Sequence, residues 1–349
     1  MTTIEVVEPG LQTTVQDRGR FGYQALGVPV SGVLDFEAMR LANALVGNGG
    51  DAAVLEMRMV GPSLKAAEGT VRMALAGSEA KLTITLADGA TRTVPAHQAF
   101  DLPADAVVKI GPLKGSVTAC LAVSGGVDVP PLFGSRATYL RGPFGGHEGR
   151  ALRAGDRLAI GEGAPAGPPL AVEPIPAPAG DTVLRVVLGP QADWFTDKGI
   201  ATFLEEPYVI DGATDRMGMR LNGPEIEHVG GYNLVSDGIA TGAIQVPGSR
   251  LPILLLADHQ TTGGYPKIAN VISADLPLAG RLGPGGVVRF EAVSVADAEV
   301  IRRDAEAALA RRIGAMAPAQ TAAEPSLAAL SGENLISGVV DATNVGHPS

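Results

Sequence analysis

The chain has 349 residues, a formal charge of -10 at pH 7 and one cysteine. Its length exceeds the usual size of one compact domain and predicts two domains sharing an interface, while the negative charge excludes a phosphate-backbone partner, which demands clustered Lys and Arg. A single cysteine rules out an intrachain disulfide, no apolar run approaches the ~20 residues of a membrane span, and a reducing, cytoplasmic setting is the expectation.

The start, MTTIEVVEPG, has no basic n-region and no apolar h-region. IEVVEP reads as a first short strand. The stretch PGLQTTVQDRGRFGYQALGVPVSGVLD sets Gln12, Thr13, Thr14, Gln16, Asp17, Arg18, Arg20 and Tyr23 among glycines, which let backbone approach a ligand or another chain closely. A charge-assisted Asp17–Arg18 bond is expected to fix this loop, whether the loop closes a barrel or binds. LDFEAMRLANALVG carries apolar residues at i, i+4 from Leu34 and predicts a helix with Asp35 as its cap.

Short runs follow, VRMALAG, KLTITLADG and VVKIGP, each ended by Gly or Pro, and they predict the strands of a sandwich or barrel. VTACLAVSGG should bury Cys120 as a small hydrophobe. GSRATYLRG offers Arg136, Thr138 and Tyr139 as a candidate cluster that either binds a ligand or forms a structural salt bridge. Residues 161–181, GEGAPAGPPLAVEPIPAPAGD, are too rich in Pro, Ala and Gly to pack as a regular element, and they separate a domain at 1–165 from one at 182–313.

VLRVVLGP opens the second half as a strand. DGATDRMGMRL (211–221) then echoes SGVLDFEAMRL (31–41): Gly32, Asp35, Met39, Arg40 and Leu41 match Gly212, Asp215, Met219, Arg220 and Leu221 without a gap. A weaker echo joins CLAVSGGVDVP to LLADHQTTGGYP. Together these predict duplicated β-domains, with Asp215 capping about one helical turn before Asn222-Gly223-Pro224 ends it.

The apolar run LPILLLA leads into DHQTTGGYPKIANVISADL (258–276), whose polar side chains exceed what a turn needs. Residues at a strand's end on a rigid scaffold are well placed for a site. Gly263 and Gly264 can present consecutive N–H groups to an oxyanion, and Lys267 supplies a point charge for a carboxylate or carbonyl oxygen. Asp258 and His259, adjacent on a strand, face opposite ways and cannot form a simple acid–base pair. VVRFEAV, the helix VADAEVIRRDAEAALARRIG and a flexible tail at 314–349 complete the chain.

Absences narrow the chemistry. The sequence has no P-loop, so ATP would bind without one or on a partner. His97, His147, His228, His259 and His347 have no spacing that gathers metal ligands, and no metal is expected. No lysine is flanked by methionines, so no covalent biotin is expected on this chain. The Ser-Ser-Lys arrangement of amidase-signature hydrolases is also missing.

With these residues in view, PGLQTTVQDRGRFGYQALGVPVSGVLD, LANALVGN, LAVSGGVDVPPLFGSRATYLRG, DRMGMRLNGP and GAIQVPGSRLPILLLADHQTTGGYPKIANVISADL resemble the family labelled as the C-type subunit of 5-oxoprolinase, as allophanate hydrolase subunit 2 or as KipA-like. That family is in turn similar to the C-terminal half of the carboxyltransferase domain of urea carboxylase. The resemblance implies a mainly β protein of two cyclophilin-like β-barrel domains with a few short helices and a C-terminal helix. It implies two partners of the 5-oxoprolinase system, a KipI-like B-type protein and an A-type protein. It also implies a site where the proteins of the complex meet, and ATP-dependent opening of 5-oxoproline to glutamate.

On that reading Lys267 is the electrostatic anchor, Gln260 and Tyr265 form hydrogen bonds, Gly263 and Gly264 are backbone donors, and Asp258 or His259 handles protons. Arg136 is a second substrate-binding candidate. Two other readings stay open: a carboxyltransferase component acting on urea or a related amide with a biotin carrier in trans, and a non-catalytic regulator that binds a KipI-like kinase inhibitor.

Overall fold

The computed structural model describes residues 2–163 and 167–319. The first half contains β1 (Thr3–Glu8), β2 (Gln12–Gln16), α1 (Phe36–Leu45), β3 (Val54–Arg58), β4 (Ser63–Ala66), β5 (Val71–Ala76), β6 (Leu82–Thr85), β7 (Thr91–Val94), β8 (Ala99–Leu102), β9 (Val107–Ile110), β10 (Thr118–Val123) and β11 (Arg157–Ala159). These strands form two sheets, in the orders β11-β1-β4-β9-β6-β7 and β2-β3-β10-β5-β8. The two sheets face each other across one core.

Side-chain alternation explains how that core and α1 share the second sheet. On β5 and β10, Val71, Met73, Leu75, Ala119, Leu121 and Val123 point into the inter-sheet core. The intervening Ala74, Ala76, Cys120 and Ala122 lie under α1 with Met39, Leu41 and Leu45. Period-two alternation sends the larger residues inward, and the small ones let a helix approach the sheet. Cys120 is buried as expected, and burial first, with Glu56 and Asp35 nearby, pushes its thiol well up. Asp35 caps α1, accepting the Ala38 N–H at 2.9 Å.

Beyond β12 (Leu170–Ala171), the second half contains β13 (Asp181–Leu188), α2 (Asp197–Glu205), β14 (Tyr208–Ile210), β15 (Gly218–Asn222), β16 (Asp237–Gly238), β17 (Ala243–Gln245), β18 (Ile253–Leu255), β19 (Thr262–Gly263), β20 (Lys267–Val271), α3 (Leu276–Arg281), β21 (Val287–Ala292), α4 (Val295–Gly314) and β22 (Ala317–Pro318). Seven of its strands close a barrel in the order β13-β20-β17-β18-β15-β14-β21. A separate ribbon, β16 with β19, stands beside it. The mainly β class with few helices is therefore as the sequence predicts.

Three local expectations are corrected. Met39, Arg40 and Leu41 are helical, whereas Met219, Arg220 and Leu221 lie in strand β15. The shared letters sit in different hydrophobic patterns: burial alternates along β15, while α1 buries Ala38, Leu41, Ala42 and Leu45 at helical spacing. Asp215 caps no helix; it accepts the Met217 N–H at 2.8 Å and feeds the strand. The connector at 161–181 also packs: β12 pairs with β22, and Ile175 is buried with α1. Finally, Asp17 holds Ser135 Oγ at 2.6 Å and the Arg136 N–H at 2.6 Å, and Arg18 instead reaches Asp51 at 3.7 Å.

The helix α4 returns from the barrel to the first half. Leu309 joins the apolar cluster of α1, Glu306 pairs with Arg40 at 2.5 Å, and Arg312 pairs with Glu37 at 2.5 Å. Of the tail at 314–349, residues 320–349 lie outside the described residues.

Two buried ion clusters join the halves. At the end of α3, Arg281 Nε lies 2.6 Å from Asp35 and its Nη2 2.5 Å from Glu37. Arg216, before β15, is held by Asp258, by Glu56 of β3 and by the Gly32 carbonyl. Burial alone would lower the Arg216 guanidinium, but Asp258 and Glu56 outweigh it and the pKa is raised.

Candidate functional site

The stretch after β18 divides into an inward and an outward part. Leu256, Ala257, Asp258 and His259 are buried, and Gln260 is exposed. Asp258 makes a two-point ion pair with Arg216, Nε–Oδ2 at 2.9 Å and Nη2–Oδ1 at 3.2 Å. This carboxylate is committed to the junction of the halves. The two residues are not on a strand as the sequence suggests: β18 ends at Leu255, the chain turns, the His259 N–H donates to the Leu256 carbonyl at 3.1 Å, and the His259 ring is carried away from Asp258 toward Thr241.

The His259 ring is fixed at both nitrogens. Nδ1 lies 2.6 Å from the Gln260 carbonyl, which can only accept, so Nδ1 donates. Nε2 then accepts from Thr241 Oγ1 at 3.1 Å. Burial lowers the His259 pKa, against smaller opposing effects of Gln260 and Asp258, so the ring is neutral near pH 7.

Lys267 opens β20 and is buried. Its Nζ lies 3.2 Å from Asp237 Oδ2 on β16. Gln191 ties the same group together: Nε2 reaches Asp237 at 3.3 Å, Oε1 accepts the Lys267 N–H at 3.1 Å, and the Gln191 N–H donates to the Lys267 carbonyl at 3.2 Å. The hydrogen bond from Lys267, then that from the Gly238 N–H, holds the Asp237 carboxyl below its usual range.

Gln245 stands opposite Lys267 in the β17–β20 register, and directly opposed residues project to the same face. Gln245 is buried, and its Nε2 has no hydrogen-bond partner among the described residues. A Cβ at Gly263 would sit 2.6 Å from that nitrogen and 2.7 Å from Ile239. The absence of a side chain at 263 lets the β16–β19 ribbon lie close over Gln245 and Ile239, and a Cβ there would push the ends of both side chains aside. Tyr265 is 41% exposed at the ribbon's edge. The group of Lys267, Gln245, Asp237 and Gln191 can bind an oxyanion through an ammonium and an uncommitted amide N–H.

Arg136 is placed apart from this group. Its Nε donates to the Val129 carbonyl at 2.8 Å and its Nη2 to Asp128 at 3.0 Å, so it fixes a first-half loop. Thr138 donates to the Val15 carbonyl at 2.9 Å, and the Tyr139 ring packs on Phe144 at 5.3 Å. Neither Gln191, Asp237 nor Gln245 stands out in the sequence. Gln245 alone leaves a trace, as the polar residue closing the apolar AIQ of GAIQVPG.

A cavity of ≈ 550 Å³ lies at the junction of the two halves and α4. Residues 258–267 do not line it. Ser31, from the first half, does, and Thr241, which holds His259, forms part of the same wall.

The comparisons agree with this architecture. A carboxyltransferase domain, subdomain A and B, matches residues 26–292. The chain is 34% identical over 305 residues to the C-type subunit of 5-oxoprolinase from Escherichia coli, covering 86% of this chain and 94% of that protein. It is 33% identical over 303 residues to the corresponding 5-oxoprolinase protein of Haemophilus influenzae, covering 87% of this chain and 95% of that protein. The crystal structure of the K. lactis urea amidolyase superposes with a TM-score of 0.82 at 28% identity, covering 88% of this chain and 20% of that one. A chain matched over most of its length by that domain and those relatives belongs to the carboxyltransferase-domain family, subdomains A and B.

Proposed function

We propose that this chain is the C-type subunit of a 5-oxoprolinase, an enzyme component that acts with other proteins to open 5-oxoproline to glutamate at the expense of ATP. One observation carries the reading: its similarity to the C-type 5-oxoprolinase protein of Escherichia coli runs through 94% of that protein. On this reading the partners are a KipI-like B-type protein and an A-type protein. ATP binds either on those partners or on this chain without a P-loop, since the sequence has none. Covalent biotin has no attachment lysine here.

The lactam carbonyl gains negative charge when a nucleophile adds to it. Lys267 Nζ and Gln245 Nε2 are suited to receive that charge: one is an amine held by Asp237 and the other a donor without a partner among the described residues. Asp237 holds Lys267 until substrate competes for it, and Tyr265 lines the open edge. In this mechanism Asp258 fixes the halves and does not move protons. His259, neutral and doubly bonded, orients the loop.

A second reading keeps the family's carboxyltransferase chemistry, with urea or a related amide as acceptor and a biotin carrier in trans. The fold match to the K. lactis urea amidolyase favours it. The deciding experiment measures phosphate release from ATP by this chain with its A- and B-type partners, with and without 5-oxoproline. Release that requires both 5-oxoproline and this chain supports the oxoprolinase reading; release independent of either rejects it.

A further inference from the structure

The cavity between the halves has an apolar wall with arginines among its lining residues. Leu34, Leu276 and Leu309 come from α1's approach, α3 and α4 respectively, and supply much of its wall. Its two acids are already neutralised. Glu37 is held by Arg281 and by Arg312, each at 2.5 Å, and Glu306 is held by Arg40 at 2.5 Å.

Two arginines at the same cavity remain available. Arg302 is exposed on α4 and has no ion pair or hydrogen bond among the described residues. Arg18 has only a long, exposed contact with Asp51 at 3.7 Å, and its guanidinium lies over the rings of Phe21 at 5.6 Å and Phe36 at 5.8 Å. An exposed pair at that distance is weak. A chain with a formal charge of -10 thus keeps uncommitted positive charge at this opening.

Ser31 supplies an independent observation. It is 4% exposed, lines the cavity, and its Oγ is buried without a hydrogen-bond partner among the described residues. Its backbone is held at φ 54, in the left-handed region that a serine rarely adopts, and its N–H donates to the Ala257 carbonyl of the other half at 3.0 Å. A buried, unpartnered hydroxyl in a residue of the cavity wall is satisfied by a polar atom of an occupant that reaches it.

We infer that this cavity binds a small amphipathic carboxylate, an acyl chain with one anionic head. The apolar wall takes the chain, Arg18 and Arg302 take the carboxylate, and Ser31 Oγ gives or accepts one hydrogen bond. The volume of ≈ 550 Å³ is that of a pocket for a small organic ligand. It lies apart from Lys267 and Gln245, so the inference does not depend on the oxoprolinase reading.

Octanoate is the probe, titrated calorimetrically into the full chain, with octanol as the uncharged control. The expected result is saturable one-to-one binding of octanoate, with octanol binding about ten-fold more weakly or not at all. Arg302→Glu, an exposed change that leaves the core intact, weakens octanoate about ten-fold, and Ala308→Trp, which fills the cavity from α4, abolishes it. Absence of saturable octanoate binding overturns the inference. So does equal binding of octanol, or unchanged octanoate affinity in a chain carrying both Arg18→Glu and Arg302→Glu with an unaltered melting profile.

Discussion

Arg216 and Asp258 are bound at two points, 2.9 Å and 3.2 Å apart, at a position where the guanidinium also reaches Glu56 on the other half of the molecule. All three side chains are buried. The arrangement places Asp258 in the joint between the halves, and it makes stability the property most sensitive to this residue.

Asp258→Ala leaves Arg216 with one buried carboxylate instead of two. Breaking a buried pair from one side costs about 3–5 kcal/mol, so the denaturation midpoint should fall markedly. A variant with unchanged stability and lost turnover would return Asp258 to the chemistry.

Lys267→Met and Gln245→Leu test the oxyanion group. Loss of one preorganised donor lowers kcat by about 10²–10³-fold, and either variant should still co-purify with its partners. Full turnover in both would remove this group from the site.

Gly280 lies where α3 meets the first half. A Cβ there would stand 2.5 Å from the Leu34 carbonyl oxygen and 2.8 Å from its carbon, which are backbone atoms that cannot rotate away. Gly280→Ala should destabilise by about 1–3 kcal/mol, read from urea unfolding. An unchanged midpoint would mean that α3 sits further from residue 34.

Two buried histidines should make the folded protein less stable in mild acid. Burial lowers the pKa of His97 and of His259 from the ordinary 6.5. A base lowered in the folded state binds fewer protons there than when unfolded, so its stabilisation is full above pH ~6.5 and is lost as pH falls toward the folded value. His97 sits against Glu79, Arg281 and Arg312, while His259 faces Thr241, Gln260 and Asp258. The melting temperature should drop from pH 7 to pH 5, and His259→Gln should flatten that slope. A slope identical to the unsubstituted chain would exclude His259 as its source.

How much was legible in the sequence differs from residue to residue. The helix from Phe36 and its Asp35 cap follow from spacing within one turn, and both appear as expected. The short strands between glycines and prolines do too. The matching letters around Arg40 and Arg220 mislead because local identity does not fix which face of an element is buried. At the candidate site, Lys267 was visible as a lone cation after a double glycine, but Gln245, Gln191 and Asp237 were not: they meet only when β16, β17 and the turn after β13 close over β20.

The β-rich class, the α1 segment, the burial of Cys120 and the family can be read along the chain, because periodicity, capping and motif order are properties of neighbouring residues. Tertiary structure decided what each polar group does. Asp258 finds its cation 42 residues away, that cation finds Glu56 160 residues away, and Lys267 is met by Asp237 30 residues away. Buried charges take whichever counter-charge the closed barrel and the junction of the halves bring within about 3 Å, since an unpaired charge there costs more than any local preference can offset.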